Sequence, residues 1–118
     1  MGKRAGDNRI QMAVEFLSDR LCDPDLAPCI VARHVGLDPW QFCRKFKMVT
    51  GMTCSEYISR KRMYEARRLL TSRNLLVKEI AYRVGFEDAN YFSRRFKRVV
   101  GTSPTVYRKA KAHNNQAN

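Results

Sequence analysis

Apolar side chains return at three- and four-residue intervals along almost the whole chain, the spacing that gives an α-helix one buried face. Ile10, Val14, Leu17 and Leu21 predict a first helix from about Arg9 to Leu21, and Asp23-Pro24-Asp25 breaks it. A short helix is expected from about Pro28 to Val35, proline being tolerated in its first turn. Gly36-Leu37 supplies a tight turn. Asp38 as N-cap, Pro39 in the first position and Gln41 reaching back open the next helix, which runs to about Val49 and stops at Gly51. Thr53 and Glu56 form another capping box and open the longest helix, about Cys54 to Leu70. Its apolar stripe is Tyr57, Ile58, Met63, Ala66, Leu69 and Leu70, and Thr71-Ser72-Arg73-Asn74 ends it. A helix from about Val77 to Val84, a turn at Gly85-Phe86-Glu87 and a helix capped by Asp88 follow. That helix runs to Val100 and stops at Gly101. Ser103-Pro104 opens a last helix, through Tyr107 to about Lys111. Residues 1–8 read as a flexible lead-in and 112–118 as a disordered polar tail.

The plan is written twice. Ala32, Val35 and Gly36 recur at an offset of 49 as Ala81, Val84 and Gly85. Past the glycine the offset is 50: Phe42, Arg44, Phe46, Lys47, Val49, Gly51 and Tyr57 return as Phe92, Arg94, Phe96, Lys97, Val99, Gly101 and Tyr107. A repeated short helix, glycine turn and basic helix is the pattern of a helix-turn-helix. The extra residue falls in the turn, so both helices of each unit keep their own register. The expected fold is all-α, with about seven helices: two helix-turn-helix subdomains, residues 9–52 and 73–111, joined by a long linker helix over 53–72.

Charge narrows the choice of partner. The 118 residues hold 23 Lys+Arg against 11 Asp+Glu, a formal net charge of +12, which favours polyanions, nucleic acid before an anionic membrane. No apolar run approaches the roughly 20 residues of a membrane span, and no signal-peptide core follows Met1, so a cytoplasmic protein is expected. Cys22, Cys29, Cys43 and Cys54 form no Cys-x-x-Cys pair, and His34 and His113 complete no zinc spacing. Free thiols in a reducing compartment, with no metal and no cofactor, are the expectation.

At about 100° per residue, Phe42, Phe46 and Val49 share one apolar face of the first basic helix, and Phe92, Phe96 and Val99 share that of the second. These stripes are read as core. Trp40, Cys43, Arg44 and Lys47 fall on the opposite face, as do Asn90, Ser93, Arg94 and Lys97. A solvated charged face is the usual meaning of a run like Arg94-Arg95-Phe96-Lys97-Arg98. Two features weigh against it: Trp40 is costly to leave in water beside Arg44, and the outer arginine occupies the same place in both copies. A major groove admits one helix, where an outward arginine pairs bidentately with guanine O6 and N7 and Asn90 could pair with adenine. Trp40 offers its ring to a thymine methyl or a sugar. Lys47, Lys97 and the nearby Arg95 and Arg98 are assigned to phosphates, with helix N-termini adding backbone N–H contacts. A connector of about 17 residues spans roughly 25 Å. Successive groove visits on straight duplex lie about 34 Å apart. Binding on one face of an asymmetric site is therefore expected to bend the DNA toward the protein.

Val77-x-x-Ile80-Ala81-x-x-Val84-Gly85-Phe86-x-Asp88-x-x-Tyr91-Phe92-Ser93-Arg94-x-Phe96-Lys97, then Gly101-x-Ser103-Pro104-x-x-Tyr107-Arg108, closely resembles the signature of the AraC/XylS transcriptional regulators. Arg62-Met63-x-x-Ala66-x-x-Leu69-Leu70 is similar to that family's linker helix, and the likeness covers roughly residues 9 to 109. It implies a seven-helix, two-subdomain, bacterial DNA-binding domain that activates promoters, often by contacting RNA polymerase. In small members of the family the third and sixth helices read bases. Carried over by position, the readers are Trp40, Cys43 and Arg44, then Ala89, Asn90, Tyr91, Ser93 and Arg94. Cys43 and Ala89 replace longer polar side chains common there, which implies a different site preference. Cys54 stands where a proline is usual, as Pro104 stands in the second copy. Most members carry a further ligand-binding or dimerisation domain. No small-molecule site is expected within this chain, and the start at Met1-Gly2-Lys3 fits a stand-alone regulator or, as leaned to here, the DNA-binding half of a longer one.

Two rival classes are weaker. An enzyme of the DNA-alkyl-transfer kind would need a four-cysteine zinc cluster, and neither a Ser/His/Asp set nor paired carboxylates is present, His34 being read as packed or surface histidine. A non-specific architectural or anionic-surface binder is permitted by the charge, but a lipid-binding helix would need its apolar face free, and the phenylalanine stripes are needed for the core.

Overall fold

The computed structural model describes residues 8–117, with side chains through Ala112. The architecture is all-α, with seven helices among the described residues: α1 (Asn8–Asp19), α2 (Pro28–His34), α3 (Pro39–Thr50), α4 (Cys54–Ser72), α5 (Val77–Arg83), α6 (Ala89–Val100) and α7 (Pro104–Ala117). The chain divides into two compact units between Ser59 and Arg60, each with its own core. None of the described helices is long and apolar enough to cross a membrane.

In the first unit α1, α2 and α3 bury Ile10, Leu17, Val31, Phe42 and Phe46, joined by Cys54 and Ile58 from the start of α4. The second unit repeats the arrangement with Met63, Ala66 and Leu70 of α4, Ile80 and Val84 of α5, and Phe92 and Phe96 of α6. The rings repeat too. Phe42 lies 5.5 Å from Phe46, which meets Tyr57 edge-on at 5.3 Å; Phe92 lies 5.8 Å from Phe96, which meets Tyr107 edge-on at 5.7 Å. Edge-to-face rings add about 0.5–1.5 kcal/mol per pair beyond the area they bury.

Local chemistry sets the helix ends. Asp38 accepts a hydrogen bond from the Gln41 N–H at 2.9 Å, and Asp88 accepts from the N–H groups of Asn90 and Tyr91 at 2.8 and 3.1 Å. Thr53 and Glu56 satisfy each other's backbone N–H groups, both at 3.1 Å, which is a complete capping box. Glu79 accepts from the Leu76 N–H at 2.8 Å; leucine has no acceptor to return the favour. Gly51 and Gly101 close α3 and α6 with φ of +85° and +106°, their N–H groups donating to Lys47 and Lys97 carbonyls at 2.8 Å.

Several expectations need correction. Val49 and Val99 are exposed, not inward. The buried face is centred nearer the positions four and eight residues beyond Phe42 and Phe92. Phe46 and Phe96 therefore go fully inside, Thr50 and Val100 are half-buried, and the valine one place earlier rolls out. Thr50 stays there because its hydroxyl donates to the Phe46 carbonyl at 2.8 Å. The first helix ends at Asp19, short of Leu21, and α4 continues to Ser72. The last helix runs on past Lys111 to Ala117, because Ala110 and Ala112 favour helix and neither glycine nor proline follows Pro104. The expected disordered tail over 112–118 is thus helical as far as Ala117, and Asn118 lies outside the described residues. The lead-in read over 1–8 also lies outside them, except for Asn8, which opens α1.

Two arginines lock the second unit in ways that spacing alone does not reveal. Arg62 is buried, its guanidinium 5.7 Å from the Phe86 ring centre and packed against the bare backbone of Gly85. Arg108 donates from Nε to the Leu70 carbonyl at 3.0 Å and from a terminal nitrogen to the Leu75 carbonyl. Leu70 is in the last turn of α4, whose carbonyls have no partner within the helix. The C-terminal helix thereby ties down the chain as it leaves α4.

Candidate nucleic-acid interface

In both units a glycine turn carries the chain into the basic helix. Gly36 and Gly85 have φ of +77° and +100°, a region that side chains disfavour. In each turn a backbone N–H just past the glycine returns to the short helix: Leu37 to the Ala32 carbonyl at 3.0 Å, Phe86 to the Ala81 carbonyl at 2.9 Å. The repeat read from the residues is therefore also a repeat of hydrogen bonds.

Phe42 and Phe46 turn one face of α3 into the core, and the reverse face carries Trp40, Cys43, Arg44 and Lys47, all exposed. On α6 the matching face carries Asn90, Arg94, Lys97 and Arg98, exposed, and Tyr91, half out of the protein. Ser93 and Arg95 are half-buried at its margins. Ala89 is half-buried and packs against the second core, so it does not join the exposed group. Neither helix contains an acidic residue, and each carries its charge as an unbroken cationic field: Arg44, Lys45 and Lys47 on α3, and Arg94, Arg95, Lys97 and Arg98 on α6.

The outer arginines are not loose. Arg44 lays its guanidinium 4.7 Å from the centre of the Trp40 ring, one helical turn away. Arg94 sits 5.9 Å from the centre of Tyr91. Both fall within the reach of a cation–π attraction, which also limits the rotamers of a long flexible side chain. Trp40 remains 66% exposed, so the ring that supports the arginine still presents most of its surface to whatever approaches.

Part of the backbone N–H set at the N-termini of α3 and α6 is already engaged by the capping carboxylates. Asp38 takes the Gln41 N–H, and Asp88 takes those of Asn90 and Tyr91. Gln41, Lys45 and Met48 share the outer surface of α3. All three are exposed, and the offset of 50 pairs them with Tyr91, Arg95 and Arg98. His34 stacks on Phe16 at 3.9 Å, and the four cysteines are free thiols, Cys54 buried and the others exposed.

The geometry is that of a duplicated helix-turn-helix protein with an outward cationic helix in each copy. A family model described as a helix-turn-helix domain matches residues 31–110. The chain belongs to the AraC/XylS family of DNA-binding transcriptional regulators, a family of regulators and not of enzymes. It is 33% identical over 102 residues to the arabinose operon regulatory protein of Escherichia coli K12, covering 86% of this chain and 35% of that protein. It is 40% identical over 78 residues to the transcriptional activator AarP of Providencia stuartii, covering 66% of this chain and 58% of AarP. The chain thus spans about a third of the first relative's length and just over half of the second's. The fold matches the DNA-binding domain of AdpA, solved in complex with a target DNA, with a TM-score of 0.87 at 24% identity over 93% of this chain and 98% of that one.

Proposed function

We infer that this chain reads sequence in double-stranded DNA as a bacterial transcription activator, laying α3 and α6 in successive major grooves of one asymmetric promoter site. One observation carries the reading: each unit presents, at matching positions of an acid-free helix, an outward guanidinium resting on an aromatic ring. Asymmetry follows from the side chains beside those arginines. Trp40 and Cys43 in one copy answer to Asn90 and Ser93 in the other, so the two units select different base pairs.

Arg44 and Arg94 pair with guanine O6 and N7, and Asn90 with adenine N6 and N7. Trp40, Cys43, Tyr91 and Ser93 shape the apolar and polar margins of the two contacts, with Ala89 setting how closely α6 approaches. Lys47, Arg95, Lys97 and Arg98 hold phosphates and fix register without reading sequence. RNA polymerase is the protein partner, in keeping with the activator name of AarP, and the nucleoid within the cytoplasm is the place of action.

Selection of bound duplexes from a randomised library tests the proposal. The expected result is one asymmetric motif with two separated blocks of preferred bases. Arg94→Ala should relax one block alone, by about 1–3 kcal/mol at its guanine. Recovery of no motif, or of a two-fold symmetric one, would sink it.

A further inference from the structure

The outer surface of α4 carries chemistry that base reading does not use. Met63, Ala66, Leu69 and Leu70 turn one side of this helix into the second core. The reverse side presents Tyr64, Arg68 and Thr71, all exposed, with Arg67 at its edge. Together with Tyr107 of α7 they line an open groove. Arg67 lies 5.8 Å from the centre of the Tyr64 ring, and Lys111 brings its ammonium to 5.6 Å from the Tyr107 ring. Arg68 already shows which group this surface takes: Glu65 accepts from its Nε at 3.1 Å and from a second guanidinium nitrogen. Tyr64 is 61% exposed, so most of a large ring is open to solvent.

We propose that the groove between α4 and α7 is a docking site for an acidic segment of a partner protein. Charge complementarity fixes the occupant: three cations flank two phenol rings, and a single carboxylate lies among them. Arginine forks bind carboxylates two oxygens at a time, and tyrosine and arginine are the residue types that concentrate binding energy at protein interfaces. The groove is open along its length, which suits an extended segment. DNA is the less fitting occupant. Both α4 and α6 turn their buried faces to the same core, so the outer face of α4 diverges from that of α6. A duplex lying on Asn90 and Arg94 leaves Tyr64 and Arg68 uncovered.

An octaglutamate peptide titrated into the 15N-labelled protein provides the test, with the whole chain used both free and saturated with duplex DNA. Saturable amide shifts are expected at Tyr64, Arg67, Arg68, Thr71, Tyr107 and Lys111 in both states. A doubly substituted Arg67→Gln, Arg68→Gln protein should bind the peptide at least about tenfold more weakly while the remaining amide peaks keep their positions. The free-protein arm stands whether or not the chain reads sequence. The proposal is overturned if the peptide shifts only the amides of α3 and α6, or if the double substitution leaves its affinity unchanged. It is likewise overturned if inorganic phosphate at matched ionic strength reproduces the groove shifts, or if the duplex itself produces them.

Discussion

Removing the Trp40 ring should weaken DNA binding through Arg44 as well as through the ring's own lost contact. The structure sets the size of the indirect part. The Arg44 guanidinium lies 4.7 Å from the ring centre, and Trp40 is 66% exposed, which puts the attraction at the solvated end of its range, about 0.5–1 kcal/mol. Arg44→Ala alone should lose about 1–3 kcal/mol at its guanine. In a double-mutant cycle the combined variant should therefore lose less than the sum of the singles, by that same amount of about 0.5–1 kcal/mol. The measurement is fluorescence anisotropy on a labelled duplex carrying the selected site, at one fixed salt concentration. A second cycle, on Tyr91 and Arg94, calibrates the first. There the separation is 5.9 Å, close to the limit of the interaction, and the coupling should be smaller. Strict additivity at Trp40 and Arg44, or a larger coupling in the second unit, would refute the idea that the ring steadies the arginine.

Other consequences are equally open to measurement. Gly36→Ala should cost the first unit about 1 kcal/mol in backbone strain alone, since an added methyl there meets nothing within 4 Å. Gly85→Ala should cost the second unit about 2 kcal/mol or more. Its new methyl would sit 2.9 Å from the Arg62 guanidinium carbon, a clash added to the same strain. Amide exchange at Phe42 and Phe46, compared with Phe92 and Phe96, separates the two, and equal losses would remove Arg62 as the cause. Burial, helped by the nearby Cys43, pushes the Cys54 thiol up to about 12 from 9.0. The thiolate is the reactive form, so at pH 8 iodoacetamide should label Cys22, Cys29 and Cys43 and spare Cys54 in the folded protein. The folded state holds this proton more tightly than the unfolded state, so the contribution to stability is whole below pH 9 and is lost as the pH climbs toward 12. Lys97→Ala should weaken all sequences alike and reduce the slope of log affinity against log salt by about one, as read from binding curves between 50 and about 200 mM salt.

Most of the fold could be read from residues whose effect is local. Asp38, Asp88, Gly51 and Gly101 begin and end the basic helices through bonds to near neighbours, so the chain segment around each contains the whole cause. The duplication did the rest, because Phe42, Phe46 and Tyr57 announce the packing of Phe92, Phe96 and Tyr107. What escaped depends on which helix lies against which. Angular position on an ideal wheel puts Val49 beside Phe42, but the core stops short of it, and no wheel contains that boundary. Burial of Arg62 and the grip of Arg108 on the Leu70 carbonyl arise between segments far apart in sequence, where a basic residue in a basic chain looks like any other. The outward arginines were legible for the opposite reason: helical spacing alone sets them beside Trp40 and Tyr91.

Among the described residues the two cores share no buried side chain. A lesion such as Phe46→Ala removes a ring from one of them, and amide exchange at Phe92 and Phe96 is expected to change far less than exchange in the first unit. On the proposed function, each unit can therefore change the side chains on the outer face of its basic helix without touching the buried residues that hold the other unit together.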